Sequence, residues 1–276
     1  MTDKAEKILR RCNSVGDFSK LSWKDQDELI SQFGMRRLKS DNAFLRNKGT
    51  DEVKYKIFDL PKGLTCPGKT AQCSSECYQT KVEKMHRGAG RDSAILLWRK
   101  LNWFYTLQED FVENMVRELR ALRAKGQPEI RIRIHASGDF YSYQYLKDWF
   151  VICAAMKLFR TDCIFVAYTK SFEFLDSLLS NQDELNHLMC KAYGIADKSY
   201  KPGKILGISD FNIHIIASIM DDTKGSDLAI AHRYRLPKYI VTENRTGTLH
   251  DCTKDTCAVC SKCYKFPMKD VTTTLR

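Results

Sequence analysis

No stretch of this 276-residue chain approaches the roughly eighteen consecutive apolar residues of a membrane-spanning helix, because charged residues interrupt every apolar run. The N-terminus, Met1 to Lys7, lacks the apolar core of a secretory signal, so the cytosol is the expected compartment and no membrane partner is expected. Internal repeats, low-complexity tracts and long linkers are also missing, which leaves one large domain, or one domain with an appendage. Nor is there an even number of cysteines: the eleven present fit a complete disulfide framework poorly. In a reducing compartment, cysteines grouped at short spacings are more often metal ligands or catalytic groups. What the chain does have is a foldable composition, with 43% apolar and 11% aromatic residues, and a formal charge of +11. That charge favours an anionic partner, a nucleotide or DNA or RNA, although charge alone does not separate such a protein from an ordinary basic one.

The apolar periodicity divides the chain. Residues 1–50 read as a polar helical extension, with Trp23, Leu29, Ile30 and Phe33 at helical spacing before Gly34. Residues 53–58 alternate like a strand that Pro61 and Gly63 end. A helix is expected over 92–125, broken by Gly126 and Pro128, then a strand over 129–135. Further expectations are a helix over 142–159, a strand over 163–168, a helix over 171–188, and strands over 213–219 and 239–241. Strands alternating with helices imply crossovers and a parallel sheet, either an incomplete barrel or an open doubly wound sheet. The expected fold is α/β: an incomplete TIM-like (β/α) barrel over residues 51–245, followed by a cysteine-rich metal-binding segment over 246–276.

Two cysteine groups carry the chemistry. Cys66, Cys73 and Cys77 fall within twelve residues, on a loop just after a strand. A four-iron cluster held by three thiolates keeps one iron open to a substrate or cofactor, as an open zinc site keeps a ligand position. The competing reading is a zinc site completed by His86 or a distant cysteine. Cys252, Cys257, Cys260 and Cys263 form a complete four-thiol set, suited to a structural or electron-passing centre. Cys12, Cys153, Cys163 and Cys190 lie in apolar surroundings and read as core residues.

In parallel α/β folds the working groups lie where strands run into loops. His135, Ser137, Gly138 and Asp139 fall at one such place, and Tyr168, Thr169, Lys170 and Ser171 at the next. Gly138 lets backbone approach a ligand, and Asp139 can accept from an amine or a ribose hydroxyl. A plain helix-capping turn is the alternative for Ser-Gly-Asp. His135 reads as a base or ligand, or equally as a structural histidine. Asp221, Asp222 and Glu243 are weaker candidates of the same kind. Lys81, Lys84, His86, Arg87, Arg91, Arg99 and Lys100 form a basic set, either a solvated face or a phosphate site led by Arg87, Arg91 and Arg99.

Two resemblances rest on these residues. The order of strand, three-cysteine loop with Tyr78, helix, and strand ending in a Gly-acidic turn resembles the radical S-adenosylmethionine superfamily. The resemblance implies an incomplete (β/α) barrel, a catalytic 4Fe-4S cluster on Cys66, Cys73 and Cys77, and S-adenosylmethionine on the open iron. Gly138 and Asp139 would meet the cofactor's amino group, with Tyr78, Ser137, Thr169 and Lys170 around it. The spacing here, C-x6-C-x3-C with Tyr78 after the third cysteine, departs from the superfamily's usual C-x3-C-x2-C with the aromatic before it. The chain is more closely similar to a phage-encoded family with CPG…C…CY, R-x-H-x-SGDF-x-S, AYT-[KR]-S and a terminal cysteine cluster. Here these are Cys66 to Tyr78, Arg133 to Ser142, Ala167 to Ser171, and Cys252 to Cys263. The resulting expectation is an iron–sulfur enzyme with two 4Fe-4S clusters and S-adenosylmethionine, needing an electron donor and modifying a nucleotide or nucleic-acid base, with Asp139 and His135 in catalysis. The alternatives are a zinc-containing, transglycosylase-like base-modifying enzyme and a non-enzymatic, metal-stapled nucleic-acid-binding protein.

Overall fold

The computed structural model describes residues 1–32, 53–85, 93–123, 129–159, 163–242, 250–251, 263 and 271–274. Five strands pair in parallel in chain order: β1 (Val53–Phe58), β2 (Glu129–Ile134), β3 (Cys163–Thr169), β4 (Ile213–Met220) and β5 (Lys238–Thr242). Two short strands, β6 (His250–Asp251) and β7 (Val271–Thr274), continue the sheet in the order β5-β7-β6. Phe58 lies opposite Ile134, and Ile134 opposite Ala167, so β1 and β2 end level and β3 runs two residues further. Parallel pairing leaves no hairpins; every connection must cross from one end of the sheet to the other.

The side-chain period of two sorts the strands into two faces. Ile130, Ile132 and Ile134 of β2, Phe165 and Ala167 of β3, and Ile213, Ile215 and Ala217 of β4 join one large core with the helices. The opposite face carries a small cluster, Ile57, Ala136, Val166 and Ile216, to which Ile164, Tyr168, Tyr239 and Cys263 add. Among the described residues no helix contributes to that second cluster. The sheet is therefore dry on one side and differently furnished on the other.

The parallel α/β class is the one expected. The strand order runs without the reversal that defines a doubly wound sheet. A closed TIM-like barrel is not shown: among the described residues β1 and β6 end the sheet as separate edges, whereas closure joins the first strand to the last.

Eleven helices among the described residues clothe the sheet: α1 (Asp3–Arg11), α2 (Val15–Ser19), α3 (Trp23–Ser31), α4 (Ala71–Ser75), α5 (Tyr78–Met85), α6 (Ala94–Thr106), α7 (Phe111–Arg123), α8 (Tyr143–Leu158), α9 (Phe172–Leu179), α10 (Gln182–Ile195) and α11 (Gly225–Arg233). Two expected helices are each two. The 92–125 pattern breaks at Leu107 into α6 and α7, yet Leu97, Leu101, Phe104, Phe111, Met115 and Leu119 all face one core, so their spacing hides the turn. The 171–188 pattern splits at Ser180, where Asn181 caps α10 by accepting from the Glu184 amide. In α3 only part of the expected stripe is inside: Leu29 is buried, but Trp23 is 69% and Ile30 43% exposed. Phe33 and Gly34 lie outside the described residues.

The first helices share the main core. Ile8, Leu9, Cys12 and Phe18 belong to it, and Phe18 meets the ring of Trp103 edge-on at 5.3 Å and that of Phe104 at 5.5 Å. Phe18→Ala is therefore expected to cost about 3–5 kcal/mol of unfolding free energy, read as a lowered denaturant midpoint. A loss under about 0.5 kcal/mol would show this end to be an independent attachment.

Candidate functional site

The loop after β1 is held by its own backbone and by the strand ends beside it. Thr65, fully buried, donates its hydroxyl to the Pro61 carbonyl at 2.7 Å, and its carbonyl accepts from the Asp139 amide at 2.9 Å. Leu60 donates its amide to the Ser137 carbonyl at 2.9 Å. Gly138 makes this docking possible: its φ is +82°, and a Cβ there would stand 2.6 Å from Leu60 Cβ and from Thr65 Oγ1. Gly68 does the same at β3, since a Cβ there would fall 2.0 Å from the Lys170 carbonyl oxygen. The loop carrying the first cysteine thus lies against the ends of both β2 and β3.

The peptide after β2 is gripped from two directions. Asp59 Oδ1 accepts from the amides of Ala136 at 2.8 Å and Ser137 at 2.9 Å. The Ala136 carbonyl accepts from Gln79 Nε2 at 2.8 Å and from the Tyr78 hydroxyl. Behind this grip sits Arg99, 3% exposed, which donates to Glu83 Oε1 at 2.9 Å and Gln79 Oε1 at 2.6 Å and pairs with Asp59 at 3.4 Å. Helix α5 starts just after Cys77, so the network fixes that cysteine relative to β2. Sequence reasoning missed Asp59, Glu83 and Gln79. The available signal was Asp59 itself, a carboxylate directly after a parallel strand.

Asp139 ties β2 to β3. Its Oδ1 accepts from the Phe140 amide and the Thr169 hydroxyl, each at 2.7 Å, and its Oδ2 from the Lys170 amide at 2.8 Å. Burial raises its pKa, and the same hydrogen bonds oppose the rise. Lys170 donates its ammonium to the Ser218 carbonyl at 3.1 Å and to the Ser218 hydroxyl; burial lowers its pKa against the pull of Cys73, Asp139 and Cys66. Ser171 donates its hydroxyl to the Phe140 carbonyl at 2.8 Å. On the far side Asp222 accepts from the Gln72 amide at 2.8 Å, while the Gln72 side chain exchanges hydrogen bonds with Asp221. Asp221 and Asp222 therefore anchor the cysteine loop to β4.

Cys66, Cys73 and Cys77 form no disulfide with a described residue and are partly buried. Burial pushes the Cys66 thiol up to about 12, with Asp139 and the other two cysteines adding to the rise. Burial also raises Cys73, against the Lys170 ammonium. The three thiols thus share one electrostatic neighbourhood. Among the described residues no three His, Cys, Asp or Glu side chains gather tightly enough to hold a single metal ion. Of the second group only Cys263 is described; Cys252, Cys257 and Cys260 lie outside the described residues. Cys263 Sγ accepts from the Tyr168 hydroxyl at 2.8 Å, on the sheet face away from the helices.

Other expected site residues lie elsewhere. His135 has a left-handed φ of +64° and lies in the core, its Nε2 2.8 Å from the Tyr145 hydroxyl and its ring 5.0 Å from that of Phe140. Burial lowers its pKa to about 3, so it is a neutral imidazole at ordinary pH, packed away from the thiols. Arg99 is an internal strut and not a surface phosphate ligand. Lys100 is buried too, donating to Asn13 Oδ1 at 2.9 Å. His86, Arg87, Arg91 and Glu243 lie outside the described residues, as do the side chains of Lys81 and Lys84. Ser137 is 3% exposed, and its Oγ has no protein partner among the described residues. No helix of the described residues is long and apolar enough to cross a membrane.

The family model described as Gene product 88 matches residues 30–266, a span that holds the whole cysteine loop, every strand end just described and Cys263. The chain belongs to the Gene product 88 family. Its relatives include the Gene 88 protein of Mycobacterium phage L5, 33% identical over 95 residues, which are 32% of this chain and 37% of that protein. The Gene 88 protein of Mycobacterium phage D29 is 30% identical over 116 residues, 40% of this chain and 44% of that protein. The chain thus spans about two fifths of the length of the curated relatives it matches. No solved structure matches.

For this family member, Gly138→Ala is expected to cost about 2–5 kcal/mol in a denaturant titration, the sum of left-handed strain and steric overlap. Gly207→Ala, where a Cβ meets nothing within 4 Å, is expected to stay within about 0.5 kcal/mol. Equal effects at the two glycines would refute the interlocked loops. His135 gives a pH test. Its folded pKa of about 3 lies below the ordinary 6.5, so the unfolded chain binds the proton first and stability falls as pH drops from 6.5 towards 3. Between pH 6.5 and about 5, above most carboxylate titration, this residue contributes a slope approaching 1.4 kcal/mol per pH unit. His135→Asn, which tolerates the left-handed backbone, should flatten the slope by that amount; an unchanged slope would mean that the imidazole is accessible to protons.

Proposed function

We propose that this chain is an iron–sulfur enzyme of radical S-adenosylmethionine type, built on an incomplete (β/α) barrel and acting on a nucleotide or nucleic-acid base. The observation that carries this reading is the position of Cys66, Cys73 and Cys77. They lie on one loop after the first strand, at the carboxyl end of a parallel sheet, and that loop is fastened to the ends of β2, β3 and β4. Parallel α/β folds place their reacting groups at this end. A consecutive parallel strand order is also that of a partial barrel.

The donor set fits the cluster. Three thiols on one loop leave a four-iron centre with one iron free. A single zinc ion needs its sulfur donors about 2.3 Å away around one point, whereas a cubane spreads its cysteines over separate corners. When bound, the cluster supplies an electron from an external donor to the cofactor, and hence the radical that takes hydrogen from a substrate.

The chain's own residues position and shield. The Lys170 ammonium favours the thiolate form of Cys73, which a metal ligand must adopt. Tyr78 and Gln79 hold α5, and with it Cys77, on the Ala136 carbonyl. Asp139 aligns the Thr169–Lys170 turn, and the buried Ser137 hydroxyl, without a protein partner among the described residues, is a polar group suited to a ligand. His135 supports β2 from the core side. The net positive charge suits an anionic substrate.

Protein purified without oxygen is expected to be brown and to contain iron and acid-labile sulfide. Cys73→Ala and Cys77→Ala should each lose about four iron per chain, while Cys190→Ala, at an exposed position on α10, should lose none. Colourless protein holding zinc in place of iron would sink the proposal.

A further inference from the structure

Under the helices, oxidisable rings gather beside a buried histidine. The Tyr145 hydroxyl on α8 lies 2.8 Å from His135 Nε2, and both side chains are buried. Tyr141 stacks on Tyr145 with 4.7 Å between ring centroids and 21° between the planes. Trp103 meets Tyr141 edge-on at 5.9 Å, and Trp149 meets Tyr145 edge-on at 6.5 Å. Of these four rings only Tyr141 is partly exposed, and its hydroxyl shares a hydrogen bond of 2.9 Å with that of Thr106. The series thus runs from the surface to His135, which directly precedes the gripped Ala136–Ser137 peptide.

Packing alone asks for none of this polarity. Apolar rings at positions 135 and 145 would fill a core without desolvating an imidazole and a hydroxyl. His135 also holds a left-handed φ of +64°, and strained backbone of this kind gathers at functional sites. Its Nδ1 is buried and has no protein partner among the described residues. A buried imidazole resists protonation by solvent, because burial disfavours its charged form. The radical cation of a phenol, however, is a far stronger acid than an imidazolium. An electron lost from Tyr145 therefore sends the hydroxyl proton to the nitrogen it touches.

We infer that Tyr145 and His135 form a proton-coupled redox pair that stores one oxidising equivalent in the core, with Tyr141 as its connection to the surface. A high-potential one-electron oxidant in solution takes an electron from Tyr141, whose hydroxyl proton leaves to water. The Tyr141 phenoxyl then takes an electron from Tyr145 and a proton from water. The Tyr145 O–H bond breaks and its proton bonds to His135 Nε2. What remains is a neutral phenoxyl radical at Tyr145 beside an imidazolium at His135, and an oxidant that has gained one electron. The base within reach makes Tyr145 the easier phenol to oxidise, so the radical settles there. The pair goes beyond the function proposed above and does not need iron.

The test oxidises the full chain with photogenerated tris-bipyridine ruthenium(III) and reads electron paramagnetic resonance of samples frozen at successive times. The spectrum of the parent protein minus that of Tyr145→Phe should be a long-lived neutral tyrosyl radical. Tyr141→Phe, which keeps the ring and blocks its oxidation, should lose most of that component. His135→Asn should form it about a hundredfold more slowly, the low end of what a positioned proton acceptor contributes. Tyr200→Phe, on the loop after α10, should leave it unchanged. Denaturant midpoints near that of the parent identify variants that still fold. If His135→Asn does not, slower formation of the Tyr145 component in heavy water reports the same proton transfer. Identical spectra for the parent and Tyr145→Phe overturn the pair, and so does a rate that neither His135→Asn nor heavy water changes; the hydrogen bond then only fastens β2 to α8.

Discussion

The arrangement depends on one peptide group, the link between Ala136 and Ser137 at the end of β2. Its carbonyl is held by Gln79 and Tyr78, its amide by Asp59, and the amide of Ala136 by the same carboxylate oxygen. Strand β2 has stopped by this point, so no ladder bond supplies these partners. Side chains from two other segments do so instead, as buried backbone groups demand. Because those segments are the end of β1 and the start of α5, satisfying one peptide also fixes both sides of the cysteine loop.

That solution places charge inside the protein. Asp59, Glu83 and Arg99 are all buried, and Arg99 lies within ion-pair distance of both carboxylates. A buried pair of this kind adds little net stability over apolar packing, but removing one partner strands the other, at about 3–5 kcal/mol. The triad is therefore better understood as a device for geometry. It makes the register between α5, α6 and the end of β1 nearly all-or-none, which suits a loop whose thiols must meet one centre.

Much of this was legible in the sequence. The alternation of Glu129-Ile-Arg-Ile-Arg-Ile134 announces a strand with one apolar and one basic face, and both faces are realised. Ser142, ahead of an apolar run, marks the start of α8 and caps it. The α6–α7 and α9–α10 breaks were illegible because apolar spacing continued across them, and periodicity reports which face a residue takes but not whether the backbone turns between. Ser-Gly-Asp announced a strand-end turn; its packing was not legible, for Asp139 accepts from Thr169 and Lys170, and Gly138 makes room for Leu60 and Thr65. Arg99 and Lys100 show the same limit. A run of basic residues reads as a surface until the buried carboxylates that claim Arg99 are known, and those lie 16 and 40 positions away in the chain.

Cys263, 186 positions after Cys77 in the chain, reaches the sheet face away from the helices for a topological reason. Each parallel strand delivers its successor's crossover to the helix layer, so among the described residues the helices accumulate on one face. Cys263, which falls between β6 and β7 in the chain, settles against Tyr168 and His214 on the other face. The loop after β1 reaches the rim above that face through Tyr78. The sheet therefore separates a half where aromatic and aliphatic side chains fill the space under the helices from a half in which thiols, arginines and tyrosines meet.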